Sequence, residues 1–189
     1  MLVPFTIARD EIDDVARGAR DLRFDDLDRA AWEAAEIENR VVFHGWPDAD
    51  IDGIAHTVPD GDRRLAKETG DYPGIVAAAV EKLRLAGVQG PYALAAGPEI
   101  YTRIVETVEN GGYLLLDHLG KILGGTVVWT PGLDGAVVLS QRGNDFRFEM
   151  GQDLSVGYSH HNADLVHLYL EETFTFQVTE PDAAITLAN

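Results

Sequence analysis

Apolar residues recur along this chain first with a helical period and later with a period of two. Leu27, Ala30, Ala31, Ala34, Ile37 and Val41 make one stripe, with Glu33, Glu36 and Arg40 off it. Asp25, Asp26 and Asp28 fall in the first turn, where carboxylates complement the helix dipole. The stripe predicts a helix over about 25–44, stopped by Gly45 and Pro47, and its alanines predict close approach by whatever covers it. A polar stretch between Trp46 and Tyr72 reads as loop, with a short helix around 62–68. Pro73 then opens a second helix, on Ile75, Val76, Ala79, Val80 and Leu83, that runs to about Ala86. Pro98 opens a third, with Ile100, Ile104, Val105 and Val108 as its stripe, ending at Asn110-Gly111-Gly112. Leu114–Ile122 predicts a fourth.

Strands dominate the remainder. Leu2–Ile7 reads as a strand interrupted by Pro4, which has no N–H to give a central ladder. It has no obvious partner nearby in sequence, so pairing with another chain, or a truncated start, is expected of it. Tyr92–Ala96 is a short buried strand. Thr126–Trp129 and Ala136–Ser140 flank the turn Pro131–Gly135, and Phe146, Phe148 and Met150 alternate with Arg147 and Glu149. In 165–178, Val166, Leu168, Leu170, Phe174 and Phe176 share one parity and predict the longest strand. Helices first, a mixed middle and strands last predict an α+β fold.

Charge narrows the partners. The 189 residues hold 32 acidic and 15 basic side chains, a net charge of −17, and residues 1–62 alone hold 16 acidic and 6 basic ones. Such a surface does not displace counterions from nucleic acid or settle on an anionic membrane. With no cysteine, disulfides, thiolate metal sites and a cysteine nucleophile are excluded. No apolar run reaches membrane-spanning length, and a cytoplasmic protein is expected. Ser140, Ser155 and Ser159 lie outside any Gly-x-Ser-x-Gly elbow, and no phosphate-binding glycine loop is present. The densest set of ligand-capable side chains is His160, His161, Asn162, Asp164 and His167, yet no two histidines have i,i+4 spacing. These residues predict no catalytic, cofactor or metal site. The competing reading is a non-assembling α+β protein with a metal or hydrolase site on His160, His161 and His167.

Several longer stretches carry more information. They are Val3-Pro4-Phe5-Thr6, Glu11–Val15, Gly90-Pro91-Tyr92-Ala93-Leu94, Gly112-Tyr113-Leu114 with His118, Leu133–Ser140, Gly151–Tyr158, Leu168–Glu172 and Phe174-Thr175-Phe176. In this order they resemble the encapsulins, the nanocompartment shell proteins also grouped as the linocin-type bacteriocin family. The resemblance covers essentially the whole chain. It implies a tailed-bacteriophage major capsid fold and a structural, non-enzymatic subunit that self-assembles into an icosahedral shell around cargo enzymes. By that likeness residues 1–9 are a remnant of the extended loop, 10–51 with 146–189 the peripheral domain, and 52–145 the axial domain. Glu109, Asn110, Gly111, Gly112 and Tyr113 match the five-fold pore loop. Cargo, commonly a dye-decolorising peroxidase or a ferritin-like protein, docks by a C-terminal peptide near the positions of Leu154 and Val156. The resemblance further implies that the chain lacks the N-terminal arm and part of the extended loop, with shell closure and cargo binding weakened accordingly.

Overall fold

The computed structural model describes residues 1–20, 23–58, 65, 68–109 and 111–187. In chain order its strands and α-helices are β1 (Leu2–Ala8), α1 (Arg9–Ala16), α2 (Asp25–His44), α3 (Ile54–Thr57), α4 (Tyr72–Leu85), β2 (Tyr92–Ala96), α5 (Pro98–Glu106), α6 (Leu115–Leu123), β3 (Val127–Trp129), β4 (Ala136–Ser140), β5 (Phe146–His161), β6 (Leu165–Val178) and β7 (Ala184–Leu187). The short helix expected around 62–68 falls largely outside the described residues. The chain divides into two compact units, Met1–Glu38 with Phe148–Thr175, and Asn39–Arg147 with Phe176–Asn189.

The first unit is a three-stranded sheet, in the order β1-β6-β5, with a helix laid on it. The α2 helix keeps the bounds its periodicity predicts, and three carboxylates stand in its first turn. Ala30 and Ala34 are buried against Val3, Phe5 and Leu170, while Leu27 and Ile37 flank them. Ala31 is exposed instead of buried. One step of 100° past Ala30 carries it off the contact line, so the apolar stripe is narrower than the composition implied. The Thr6 hydroxyl donates to the Asp26 carboxylate at 2.6 Å and ties β1 to the start of α2.

The strand that lacked an expected partner has one in its own chain. β1 pairs antiparallel with β6 over seven residues, from Leu2 opposite Glu171 to Ala8 opposite Leu165. No local pattern announces a partner more than 150 residues away. Pro4 is tolerated because β1 is an edge of the sheet. β5 is far longer than the 146–150 alternation suggested, continuing through the glycine-containing stretch to His161. Asn162–Asp164 then turns it back into β6, the Asn162 carboxamide oxygen accepting the N–H groups of Asp164 and Leu165.

The second unit is built on a four-stranded sheet, in the order β3-β2-β4-β7. All five residues of β2 are buried. β3 and β4, consecutive in sequence, are separated in space by β2, which pairs parallel with β3 and antiparallel with β4. Tyr72, Ile75, Val76, Ala79, Val80 and Leu83 of α4 share one core with Leu115, Leu119 and Leu123 of α6 and with alternate residues of the sheet. The chain's apolar tail is the buried edge strand β7, paired antiparallel with β4. Val105 and Val108 are exposed, not core, since α5 ends at Glu106 and only Ile100 and Ile104 of its stripe face inward. The turn at 142–145 is held by Asp145, a buried carboxylate that takes both Nε and a terminal nitrogen of Arg142 at 2.7–3.0 Å.

Candidate functional site

Two stretches were predicted to act, and each has a defined geometry. In the second unit, the connection from α5 to α6 is a closed turn. Val108 bridges Leu114, the Glu109 N–H donates to the Tyr113 carbonyl at 2.8 Å, and the Gly112 N–H donates to the Glu109 carbonyl at 3.0 Å. Gly111 and Gly112 both have positive φ, 99° and 82°, with open space where a Cβ would stand, so backbone conformation alone demands glycine there. Asn110 lies outside the described residues. Glu109 bonds through Oε2 to His118 Nδ1 at 2.8 Å. Tyr113 meets the His118 ring edge-on at 6.0 Å, and Lys121 Nζ stands 4.9 Å over the Tyr113 ring. His118 and Lys121 are three residues apart on α6, off the line of its buried leucines. That spacing was present in the sequence, but nothing in it said which turn the pair would face.

In the first unit, β5 presents an exposed apolar row. Phe148, Met150, Leu154, Val156 and Tyr158 alternate along it, with Leu154 48% and Val156 62% exposed. Their face is fixed by contacts with β6. The Ser155 hydroxyl donates to the Glu171 carbonyl at 3.3 Å, and Gly157 lies so close under the Tyr169 ring that a Cβ would come within 2.2 Å of it. Odd-numbered residues therefore face odd-numbered ones at this point, which puts Leu154 and Val156 on the face of β6 that carries Leu168, Leu170 and Glu172. Phe148 and Phe174 stack on that face, with ring centroids 5.0 Å apart. The α2 helix packs on β1 and on Leu170 of β6, and leaves the β5 row uncovered.

Glu172 was missed as a point of interest. It sits among apolar residues of the inward parity, 2% exposed, and its Oε2 has no hydrogen-bond partner. Burial first, then the charges of Glu38 and Asp153, push its carboxyl above the usual carboxylate range. Its sequence signal was a carboxylate at an even position among Leu168, Leu170, Phe174 and Phe176.

The histidines pair rather than converge. His160 and His167 stack across the β5–β6 hairpin with centroids 4.2 Å apart and planes within 6°, while His161 Nδ1 bonds the Tyr158 hydroxyl at 2.6 Å. Among the described residues no group of three or more His, Asp or Glu side chains is placed to hold a metal ion.

The family model for linocin M18, described as an encapsulating protein for peroxidase, matches residues 1–175. A type 1 encapsulin shell protein of Mycolicibacterium paratuberculosis is 42% identical over 187 residues, covering 99% of this chain and 70% of that protein. Its counterpart in Rhodospirillum rubrum is also 42% identical over 187 residues, covering 99% of this chain and 67% of that protein. Among solved structures, the virus-like particle from Pyrococcus furiosus superposes with a TM-score of 0.69 at 18% identity, over 99% of this chain and 76% of its own. The capsid of an empty GTA particle gives 0.64 at 14% identity, over 100% of this chain and 72% of its own.

Proposed function

The chain belongs to the linocin M18 family of encapsulating proteins, and from that premise we propose how a shell subunit of this kind meets its cargo and its pore. Its fold is that of the tailed-phage capsids, and its role is structural, not catalytic. The reading based on a histidine site is not favoured, because the relatives are shell proteins and the histidines pair off separately.

In this reading the subunit assembles with copies of itself into a cytoplasmic nanocompartment. It takes up a cargo enzyme by the enzyme's C-terminal peptide, which seats on Leu154 and Val156. A peroxidase is the first cargo proposed, because the matching family is described by it, and a ferritin-like protein is the second. The observation that carries the docking assignment is the uncovered apolar row of β5 beside a helix that covers the rest of its sheet. Nucleic acid is not a partner in this reading, given the charge of −17. Residues 52–145 are read as the axial part and 10–51 with 146–189 as the peripheral part, with the last strand of the latter range, β7, lent to the four-stranded sheet of the former. Glu109, Asn110, Gly111, Gly112 and Tyr113 line the five-fold axis, with Glu109 held back by His118 rather than projecting freely.

Co-expression with a fluorescent protein fused to the C-terminal segment of a peroxidase tests the docking. Co-purification with the particle is expected, and its loss on Leu154→Asp with the particle still formed. Retention of the fusion by that variant would place the cargo elsewhere.

A further inference from the structure

The row on β5 ends at Tyr158, at 57% the most exposed of the six tyrosines. Near Gly157, odd-numbered residues of β5 face odd-numbered ones of β6. Closer to the turn, His160 stacks on His167 and the Asn162 N–H donates to the Leu165 carbonyl at 2.9 Å. Between these points β5 has gained one residue on its partner, as a β-bulge does. Tyr158 and His161, three positions apart, thereby come to one face, and the Tyr158 hydroxyl meets His161 Nδ1 at 2.6 Å. Both side chains are exposed, so the bond satisfies no buried polar atom and instead sets a base against an accessible phenol.

A phenol gives up an electron readily only when its proton leaves with it, because the cation otherwise formed is a strong acid. An imidazole nitrogen already at hydrogen-bond distance takes that proton. Tyr113, the other exposed tyrosine at 37%, is arranged the opposite way. Lys121 Nζ lies 4.9 Å over its ring, and a cation held on the ring face makes an electron harder to remove. Tyr72 and Tyr92 are buried, and Tyr101 and Tyr169 partly so.

We propose that Tyr158, with His161 as its base, is a site of one-electron oxidation by a peroxidase, at which small phenols become joined to the subunit. For the source of oxidant this rests on the reading of a peroxidase as cargo, the class of enzyme in the family's description. That enzyme, oxidised by hydrogen peroxide, takes one electron from Tyr158 and one from a small phenol. The Tyr158 hydroxyl proton passes to His161 Nδ1 and from there to water. The two phenoxyl radicals join through ring carbons ortho to their oxygens, and the hydrogens on those carbons move to the oxygens. Two phenols and one hydrogen peroxide thus give one biaryl and two waters. Tyr158 lies two positions beyond Val156 on the same row, next to where the cargo seats in that reading.

The test treats the full chain with a soluble haem peroxidase, hydrogen peroxide and N-acetyltyramine, and locates the adduct by peptide mass spectrometry. No cargo takes part, so the result stands apart from the docking reading, which the fluorescent fusion tests. Tyr158 is expected to carry several times the adduct found on Tyr113. His161→Phe should lower the yield at Tyr158 about tenfold, less than a buried general base supplies. His161→Gln, whose amide accepts the bond but does not hold the proton, should fall equally. The yield at Tyr113 in the same samples serves as the reference for an intact fold. Equal adduct on Tyr113 and Tyr158, or an unchanged yield at Tyr158 in both His161 variants, would overturn the proposal and leave the docking reading standing. Full yield in His161→Gln alone would also overturn it, since the bond and not the base would then suffice.

Discussion

At the scale of single residues, two groups tie stability to pH in opposite senses. Glu172 is buried and its carboxyl is raised, so its ionised form is the disfavoured one. A raised acid costs nothing below the ordinary value of 4.5 and costs progressively more as pH rises through its folded pKa. Glu172→Gln is therefore expected to raise the urea midpoint at pH 7, with the gain shrinking as pH falls toward 4.5. An unchanged midpoint at pH 7 would mean the carboxyl is better satisfied than its geometry indicates. His44 works the other way. Its Nε2 accepts the Asp134 N–H at 3.1 Å, which requires an unprotonated nitrogen, and burial, as the leading cause, lowers its pKa from 6.5. Its contribution is present above pH 6.5 and is lost as pH falls through the lowered folded value. Thermal melts at pH 7.5 and 5 should show a smaller acid loss in His44→Gln, whose amide oxygen accepts the same bond at both pH values. Equal acid losses would show that His44 is not the group responsible. These two roles were illegible in the sequence, because burial and groups distant along the chain, Glu38 for Glu172 and Asp134 for His44, help to set them.

At the scale of elements, α2 was the most legible part of the chain and the turn after α5 the least. The α2 bounds follow from a sustained 3.6-residue period and a clear stop at Gly45. The alanines at 30 and 34 are buried because β1 and β6 approach closely, so there is no spare volume at either position. Ala34→Phe should cost about 1–3 kcal/mol by overpacking, read as a lower denaturation midpoint, whereas the same change at the exposed Ala31 should cost much less. Equal effects at both positions would show that the face has been misassigned. The turn at 109–113 is held by backbone bonds and by the Glu109–His118 pair, both partners being partly exposed. Removing the pair with His118→Asn should cost about 0.2–1 kcal/mol and leave the fold intact. A much larger loss would mean that His118 holds α6 rather than the turn. The sequence marked this turn by its glycines, but the partner of Glu109 depended on how α6 packs against α4 through Leu115, Leu119 and Leu123.

At the scale of the whole molecule, charge opposes association and apolar surface favours it. With a net charge of −17, copies repel at low ionic strength, and salt shortens the range of that repulsion. Light scattering is expected to show particle mass rising between low and high salt at fixed protein concentration. A monomer at high concentration in both conditions would contradict assembly by this chain. The chain's family, the four helices α2, α4, α5 and α6 and the phase of its alternating strands were legible in the sequence alone, because periodicity and ordered motifs are local properties that survive without coordinates. The helix α1, and α3 inside the stretch read as loop, were not. Nor were strand partners. β1 found β6 across more than 150 residues, β2 slipped between two consecutive strands, and the apolar tail became β7. Hydrogen-bonding edges are chemically alike from one strand to the next, so the choice among them belongs to packing of the whole chain. The same packing left the β5 row open and buried Glu172 beside it, and neither outcome could be read from local pattern.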